Sequence, residues 1–184
     1  IVGESGSGKS TLASLAVGLI RPTTGEILLD GEPLAALMRD HAGPWRRRIQ
    51  MVFQDSGSAL NPRMTIARCL AETLALRGVP RATREGESMA LLALVGLGSE
   101  MAPRLPHELS GGQRQRVGLA RALAMKPDIL IADEPVSSLD VSLQAQVINL
   151  LSRLTRELGL TLLFISHDLA VVRTLCSRII VMRK

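Results

Sequence analysis

Two stretches of the chain are almost wholly apolar, Ile129-Leu-Ile-Ala132 and Leu160-Thr-Leu-Leu-Phe-Ile165. Runs of this kind fit strands covered by helices on both faces, as in a parallel sheet. They predict strands over Asp128–Ala132 and Leu160–Ser166. Ile49-Gln-Met-Val-Phe53 reads as a further strand, and Ile179-Ile-Val-Met182 as one cut short. Glu26-Ile-Leu-Leu-Asp30 is a short strand after the turn Pro22-Thr-Thr-Gly25, and Asp30-Gly31 is a hairpin-type turn. Elsewhere the apolar positions recur at helical spacing. A helix is expected over residues 9–20. Thr65 can cap a second, with Ile66, Leu70 and Leu74 on its apolar face and Gly78 at its end. Another is expected from about Arg81 to Val95, weakened by Gly86 and stopped at Gly96. Residues 97–108, with Pro103 and Pro106, read as a loop, followed by a helix over Ser110–Met125. Val141–Leu158 is the most amphipathic segment, with Leu143, Val147, Leu151, Leu154 and Leu158 in register, and Gly159 closes it. Strand–helix alternation is thus interrupted around residues 55–126 by helices alone, which predicts a parallel α/β core split by a helical insert.

Composition narrows the class. At 184 residues and 46% hydrophobic, the chain can bury one sizeable core. Its mean hydropathy of +0.23 is high for a soluble domain and agrees with strands buried on both faces. No run reaches the ~18 apolar residues of a membrane span. Cys69 and Cys176 lack metal-type spacing and read as inert thiols in a reducing compartment, and three histidines do not build a zinc site alone. The net charge of +5 would suit phosphates, anionic lipid or nucleic acid. With 2% aromatic residues and no tyrosine there are no base-stacking platforms, so a solvated arginine-rich surface is favoured, Arg46-Arg47-Arg48 included.

The chemistry is concentrated in a few segments. Residues 3–10, Gly-Glu-Ser-Gly-Ser-Gly-Lys-Ser, match the phosphate-binding pattern G-x-x-x-x-G-K-[ST]. Gly3, Gly6 and Gly8 let the backbone curl so that successive N–H groups point at an anion. Lys9 can reach β- and γ-phosphates, Ser10 offers a hydroxyl to Mg²⁺, and a helix starting near Lys9 aims its positive end inward. Such a loop needs a strand before it. Only Ile1 and Val2 are left to supply one, so the sequence is expected to be part of a longer chain. Asp128-Ile-Leu-Ile-Ala-Asp133-Glu134 is an apolar strand ending in two carboxylates, which at the carboxyl end of a parallel strand would face the loop. Asp133 can hold Mg²⁺ through its water shell, and Glu134 sits where water could attack a γ-phosphate. In Leu109-Ser-Gly-Gly-Gln113, Ser110 and Gln113 fit a capping box, while the two glycines expose N–H groups at a helix N-terminus and so form a second anion site.

Together with Ala132-Asp-Glu-Pro135 and Ser138-Leu-Asp140, these segments resemble the nucleotide-binding domain of ATP-binding cassette (ABC) transporters across essentially the whole chain, in the right order. Gln54 falls at that family's Q-loop position, Asp140 in its D-loop, and His167 of Ile165-Ser-His-Asp168 at its switch histidine. Gln54-Asp55 with Leu60-Asn-Pro-Arg-Met-Thr65, then Pro106-His-Glu-Leu-Ser-Gly-Gly-Gln-Arg-Gln-Arg-Val117 and Asp133 to Gln146, are similar to the oligopeptide, dipeptide and nickel importer ATPases. Ser56 stands where that subgroup usually has proline, and Leu105 where an aromatic is common.

The resemblance implies a P-loop NTPase. A RecA-like parallel sheet core would span residues 1–54 and 127–184, with a helical subdomain at about 55–126. It implies an ATP-hydrolysing, transport-coupled subunit at the cytoplasmic face of the membrane. Its partners would be a second ABC ATPase domain, transmembrane permease subunits and, indirectly, an extracytoplasmic substrate-binding protein. No nucleic acid is expected. ATP would lie on Gly3, Glu4, Ser5, Gly6, Ser7, Gly8, Lys9, Ser10 and Thr11. The partner's copies of Ser110, Gly111, Gly112 and Gln113 would face it, with Asp140 at the seam. Mg²⁺ would be held by Ser10, Asp133 and Gln54. Glu134 would act on water, with His167, Gln54 and Lys9 completing the catalytic set. The adenine-stacking aromatic that the family carries ahead of the loop falls outside the sequence. Three other classes compete with this reading: a cassette ATPase acting on nucleic acid or ribosomes, a half-site that binds ATP without hydrolysis, and a P-loop kinase. The first usually carries long insertions or tandem cassettes, the second conflicts with Glu134, Gln54 and His167, and the third leaves Leu109–Gln113 unexplained.

Overall fold

The structure, a computed structural model, describes residues 1–40, 43–54, 59–137 and 139–183. Asp55, Ser56 and Ser138 of the motifs above lie outside the described residues. In chain order the elements are β1 (Val2–Gly3), α1 (Lys9–Ala16), β2 (Leu28–Leu29), β3 (Glu32–Pro33), α2 (Leu34–Leu37), α3 (Trp45–Arg48) and β4 (Ile49–Val52). Then come α4 (Ile66–Arg77), α5 (Arg84–Leu94), α6 (Gly111–Leu123), β5 (Ile129–Asp133), α7 (Val141–Glu157), β6 (Thr161–Ile165), α8 (Leu169–Leu175) and β7 (Val181–Met182).

β4, β5 and β6 are parallel, with Val52 beside Ala132 and Asp133 beside Ile165. β1 pairs in parallel with β7. Ile1 joins the two pieces: its backbone nitrogen donates to Phe164 O at 2.6 Å, and its carbonyl accepts from Ser166 N at 3.2 Å. The strands therefore run β4-β5-β6-β1-β7, and every carboxyl end lies at the same edge. Neighbouring residues of β5 and β6 point to opposite faces. Leu130 and Phe164 enter one apolar cluster, which also takes Val147, Leu151 and Leu154 of α7. Ile131 and Ile165 enter the other, with Ala13 of α1, Leu29, Leu34 and Trp45. The two apolar runs are thus buried on both faces, as their composition predicts.

Capping sets the helix limits. The Thr65 hydroxyl accepts from Arg68 N at 3.4 Å, and Gly78 ends α4 in the left-handed region at φ 92°. Ile66, Leu70 and Leu74 of that helix are fully buried. Asp30 and Gly31, at φ 53° and 86°, form the tight turn between β2 and β3.

Several expectations need correction. α1 stops at Ala16 rather than near residue 20, because Gly18 turns the chain at φ 71° against Met38 and Trp45, which would crowd any Cβ there at 3.0–3.1 Å. The strand expected over Glu26–Asp30 is confined to Leu28–Leu29. Arg81–Thr83 forms a 3₁₀ turn, and α5 proper begins at Arg84. Residues 97–108 are not a plain loop but hold two 3₁₀ turns, Ser99–Met101 and Pro106–Glu108. The buried face of α7 is Val147, Ile148, Leu150, Leu151 and Leu154, while Leu158 is 46% exposed. α2, α3 and α8 were not legible in the apolar pattern.

Candidate functional site

Residues 3–10 leave β1 and enter α1. Gly3 is fixed by the sheet, since a Cβ there would stand 2.3 Å from Met182 O. Gly6 and Gly8 adopt φ 78° and 90°, a region that side chains disfavour, and Gly8 is the N-cap of α1. Lys9 is buried, and its ammonium donates to Gly3 O at 2.9 Å and Glu4 O at 2.8 Å. The lysine thus clasps its own loop. Ser7 Oγ is buried without a hydrogen-bond partner among the described residues.

Asp133 ends β5 beside this loop. It is buried, and one carboxylate oxygen, Oδ1, has no partner among the described residues. Burial pushes its pKa up from the ordinary carboxylate value. The Ser10 side chain draws it back, Glu134 adds to the rise, and the charge of Lys9 opposes it. Ser10, Lys9, Asp133 and Glu134 therefore share one electrostatic environment.

Glu134 extends the ladder by one residue, its N–H donating to Ile165 O at 3.0 Å. Its backbone is in the left-handed region at φ 44°, a sparsely populated conformation for a residue with a side chain. Oε2 lies 3.3 Å from His167 Nδ1, which comes from the end of β6. Ser166 and Asp168 brace the histidine's segment: Ser166 Oγ accepts from Asp168 N at 3.0 Å, and Asp168 Oδ1 caps α8 by accepting from Ala170 N at 2.8 Å. Gln54 is exposed just beyond β4, at the same sheet edge.

The second anion motif stands on a different element. Ser110 Oγ accepts from Gln113 N at 3.3 Å, and Gln113 Oε1 accepts from Ser110 N at 2.8 Å, forming the expected capping box. Gly112 packs against Leu143, whose side chain would be 3.3 Å from a Cβ. Among the described residues no hydrogen bond or ion pair joins Ser110, Gly111, Gly112 or Gln113 to residues 3–11. Asp140 caps α7, with Oδ1 accepting from Leu143 N at 3.0 Å and from Ser142 Oγ at 2.9 Å. These bonds hold its carboxyl below the usual range.

Sequence reasoning missed the Lys9 clasp, the Glu134–His167 approach and the cap at Asp168. The last had a signal, since Asp168 immediately precedes the apolar run Leu169-Ala-Val-Val172. Among the described residues no cluster of three or more His, Cys, Asp and Glu side chains could hold a metal. A cation here would instead need hydroxyl, amide and phosphate oxygens beside one carboxylate, the ligand set that suits Mg²⁺.

Residues 1–137 match the pattern of the family described as ABC transporter. The chain is 53% identical over 99% of its length to the probable peptide ABC transporter ATP-binding protein y4tS of Sinorhizobium fredii, of which it covers 52%. It is 51% identical over 99% of its length to a protein of Brucella ovis named as a putative peptide import ATP-binding protein, of which it covers 58%. The chain thus spans about half the length of these curated relatives. Among solved structures it resembles a dimeric ATP-binding cassette in a post-hydrolysis state bound to ADP and Pi. The TM-score is 0.85 at 34% identity, over 99% of this chain and 79% of that one. It also resembles CbiO1 of Clostridium perfringens, part of the ABC transporter complex CbiONQ, with a TM-score of 0.85 at 30% identity, over 99% of this chain and 71% of that one. The fold, the loop at its sheet edge and these likenesses place the chain in the ABC transporter family.

Proposed function

We propose that this chain is the ATP-binding and ATP-hydrolysing part of an ABC importer that takes up peptides. The observation that carries the reading is the meeting of Lys9, Ser10, Asp133, Glu134 and His167 at one edge of the parallel sheet. The relatives' printed names supply the cargo class and favour peptides over nickel.

ATP would lie on residues 3–11, its phosphates against the backbone N–H groups of the loop and the N-terminus of α1. Lys9 would exchange loop carbonyls for phosphate oxygens. The buried, unpartnered Asp133 Oδ1 fits a cation, and Ser10, Asp133 and Gln54 would hold Mg²⁺. That ion would neutralise phosphate charge. Glu134 would orient water or take its proton, and His167 would steady Glu134 and contact the γ-phosphate. Positioning and charge stabilisation carry most of phosphoryl transfer, so no covalent step is required.

The capping box engages the Ser110 and Gln113 N–H groups and leaves those of Gly111 and Gly112 for an anion, yet no described contact ties them to this chain's own loop. A second ATPase domain would supply that surface in trans, with Asp140 at the seam. The helical segment at about 55–126 would receive the permease subunits, and the RecA-like core at 1–54 and 127–184 would hold the nucleotide. The assembly would sit at the cytoplasmic face of the membrane, served from outside by a substrate-binding protein.

Light scattering of the full-length Glu134→Gln protein tests the composite site. A doubling of mass on adding Mg-ATP is expected. A monomer that has bound ATP would remove self-pairing from the account.

A further inference from the structure

One buried polar group is used by neither the site nor the capping scheme. Gln115, on α6, is 5% exposed, and its Nε2 has no hydrogen-bond partner among the described residues. The side chain borders a void of ≈ 10 Å³ shared with Val52, Ala132, Pro135, Val147 and Leu151. That is about the least space a water can occupy, and a buried water needs two to four polar partners. Leu119 and Arg116 complete the lining, and the Arg116 guanidinium is already engaged by Val95 O, Gly96 O and Gln146 Oε1, so a water would find little beside Gln115 itself. An apolar side chain of the same size would fill the position without stranding an amide.

The surroundings of the void give the amide its meaning. Val52 ends β4 two residues before Gln54. Ala132 and Pro135 flank Asp133 and Glu134. Gln115 lies two residues beyond Gln113, whose helix N-terminus would face the partner's nucleotide. A single unsatisfied donor therefore sits where α6, the Gln54 segment and the Glu134 segment converge. Glu134 itself stands in the left-handed region, at φ 44°. An unpaired buried donor is costly and calls for a role, and constrained backbone of this kind clusters at functional sites.

We propose that Gln115 is a positioning residue for Glu134: with ATP bound, its amide gains an acceptor on the turn at residues 134–136, tying α6 to the segment that carries the carboxylate. This rests on the ATPase reading given above, and the experiment separates the two. The full-length wild type and Gln115→Leu are compared for thermal midpoint without nucleotide and for kcat and KM of ATP hydrolysis. Removing an idle donor should leave the midpoint equal or higher, lower kcat about tenfold and leave KM within about twofold. An unchanged kcat, or a fall in midpoint with kcat and KM both impaired, would overturn the proposal. Absent hydrolysis by the wild type would instead overturn the ATPase reading.

A second measurement needs no turnover and no Leu variant. In glutamine-¹⁵N-labelled Glu134→Gln protein, the Gln115 side-chain amide protons should shift and exchange more slowly when Mg-ATP is added. The label's other glutamine signals are told apart by the missing resonance in the double variant Gln115→Met, Glu134→Gln. Identical shift and exchange with and without Mg-ATP would overturn the proposal whatever the kinetics show.

Discussion

His167 Nδ1 lies 3.3 Å from Glu134 Oε2, an approach between the ends of two neighbouring strands. β5 and β6 are in register at Asp133 and Ile165, so one further residue on β5 and two on β6 bring the carboxylate and the imidazole together. The carboxylate side chain is 20% exposed and the imidazole 65%. A carboxylate held from one side by a hydrogen bond loses orientation when that bond is removed. His167→Ala should lower kcat by about 100-fold, the low end of what a positioned acid–base group contributes, and leave ATP affinity within a few-fold. Steady-state hydrolysis with a parallel binding titration reads both.

Lys9 holds the loop together through Gly3 O and Glu4 O, and these carbonyls give it no opposite charge. Phosphate oxygens would. A hydrogen bond to a charged group contributes about 1.5–3 kcal/mol, so Lys9→Ala should weaken ATP binding by about 10- to 150-fold. Equilibrium titration with a fluorescent ATP analogue checks this. Unchanged affinity would take Lys9 out of the site.

Asp133 carries a cost in the absence of nucleotide. Burial raises its pKa, so the folded protein prefers the protonated form more than the unfolded chain does. Its contribution is most favourable below the ordinary carboxylate range and declines as pH rises through the folded-state value. Above that value the ionised group therefore destabilises the nucleotide-free fold. Asp133→Asn should raise the thermal midpoint without ligand and lose the further rise that Mg-ATP gives the wild type. Differential scanning fluorimetry with and without Mg-ATP measures both.

Asp140 behaves in the opposite sense. Its pKa is lowered, chiefly by the bond from Leu143 N and then by Ser142 Oγ. That stability is present above the ordinary carboxylate range and lost as pH falls through the folded-state value. Asparagine caps nearly as well without titrating. Asp140→Asn should therefore keep α7 intact at neutral pH while flattening the acid limb of a midpoint-against-pH curve. An unchanged acid limb would show that the cap is not coupled to folding.

Much of this molecule was legible in the sequence because local rules and global packing agree. Ile129–Ala132 and Leu160–Ile165 read as buried strands since both their faces are covered, and Thr65, Ser110 and Gly78 marked helix ends through the bonds or backbone angle each supplies. α8 escaped because its seven residues have little room for a period, and the limit of α1 was set by Trp45 and Met38, side chains remote in sequence. At the site, the loop and the paired carboxylates follow from spacing. The clasp of Lys9 closes within its own loop, but the burial of Asp133 and the meeting of Glu134 with His167 depend on which strands lie side by side. That order is set by packing, and no single segment carries it.

The most direct test is ATP hydrolysis by the full-length Glu134→Gln protein beside the wild type, with bound nucleotide measured in the same samples. The account predicts that the variant retains ATP and that its turnover falls by about 10²- to 10⁴-fold. Turnover at the wild-type rate would contradict it, because Glu134 would then not be the group that acts on water.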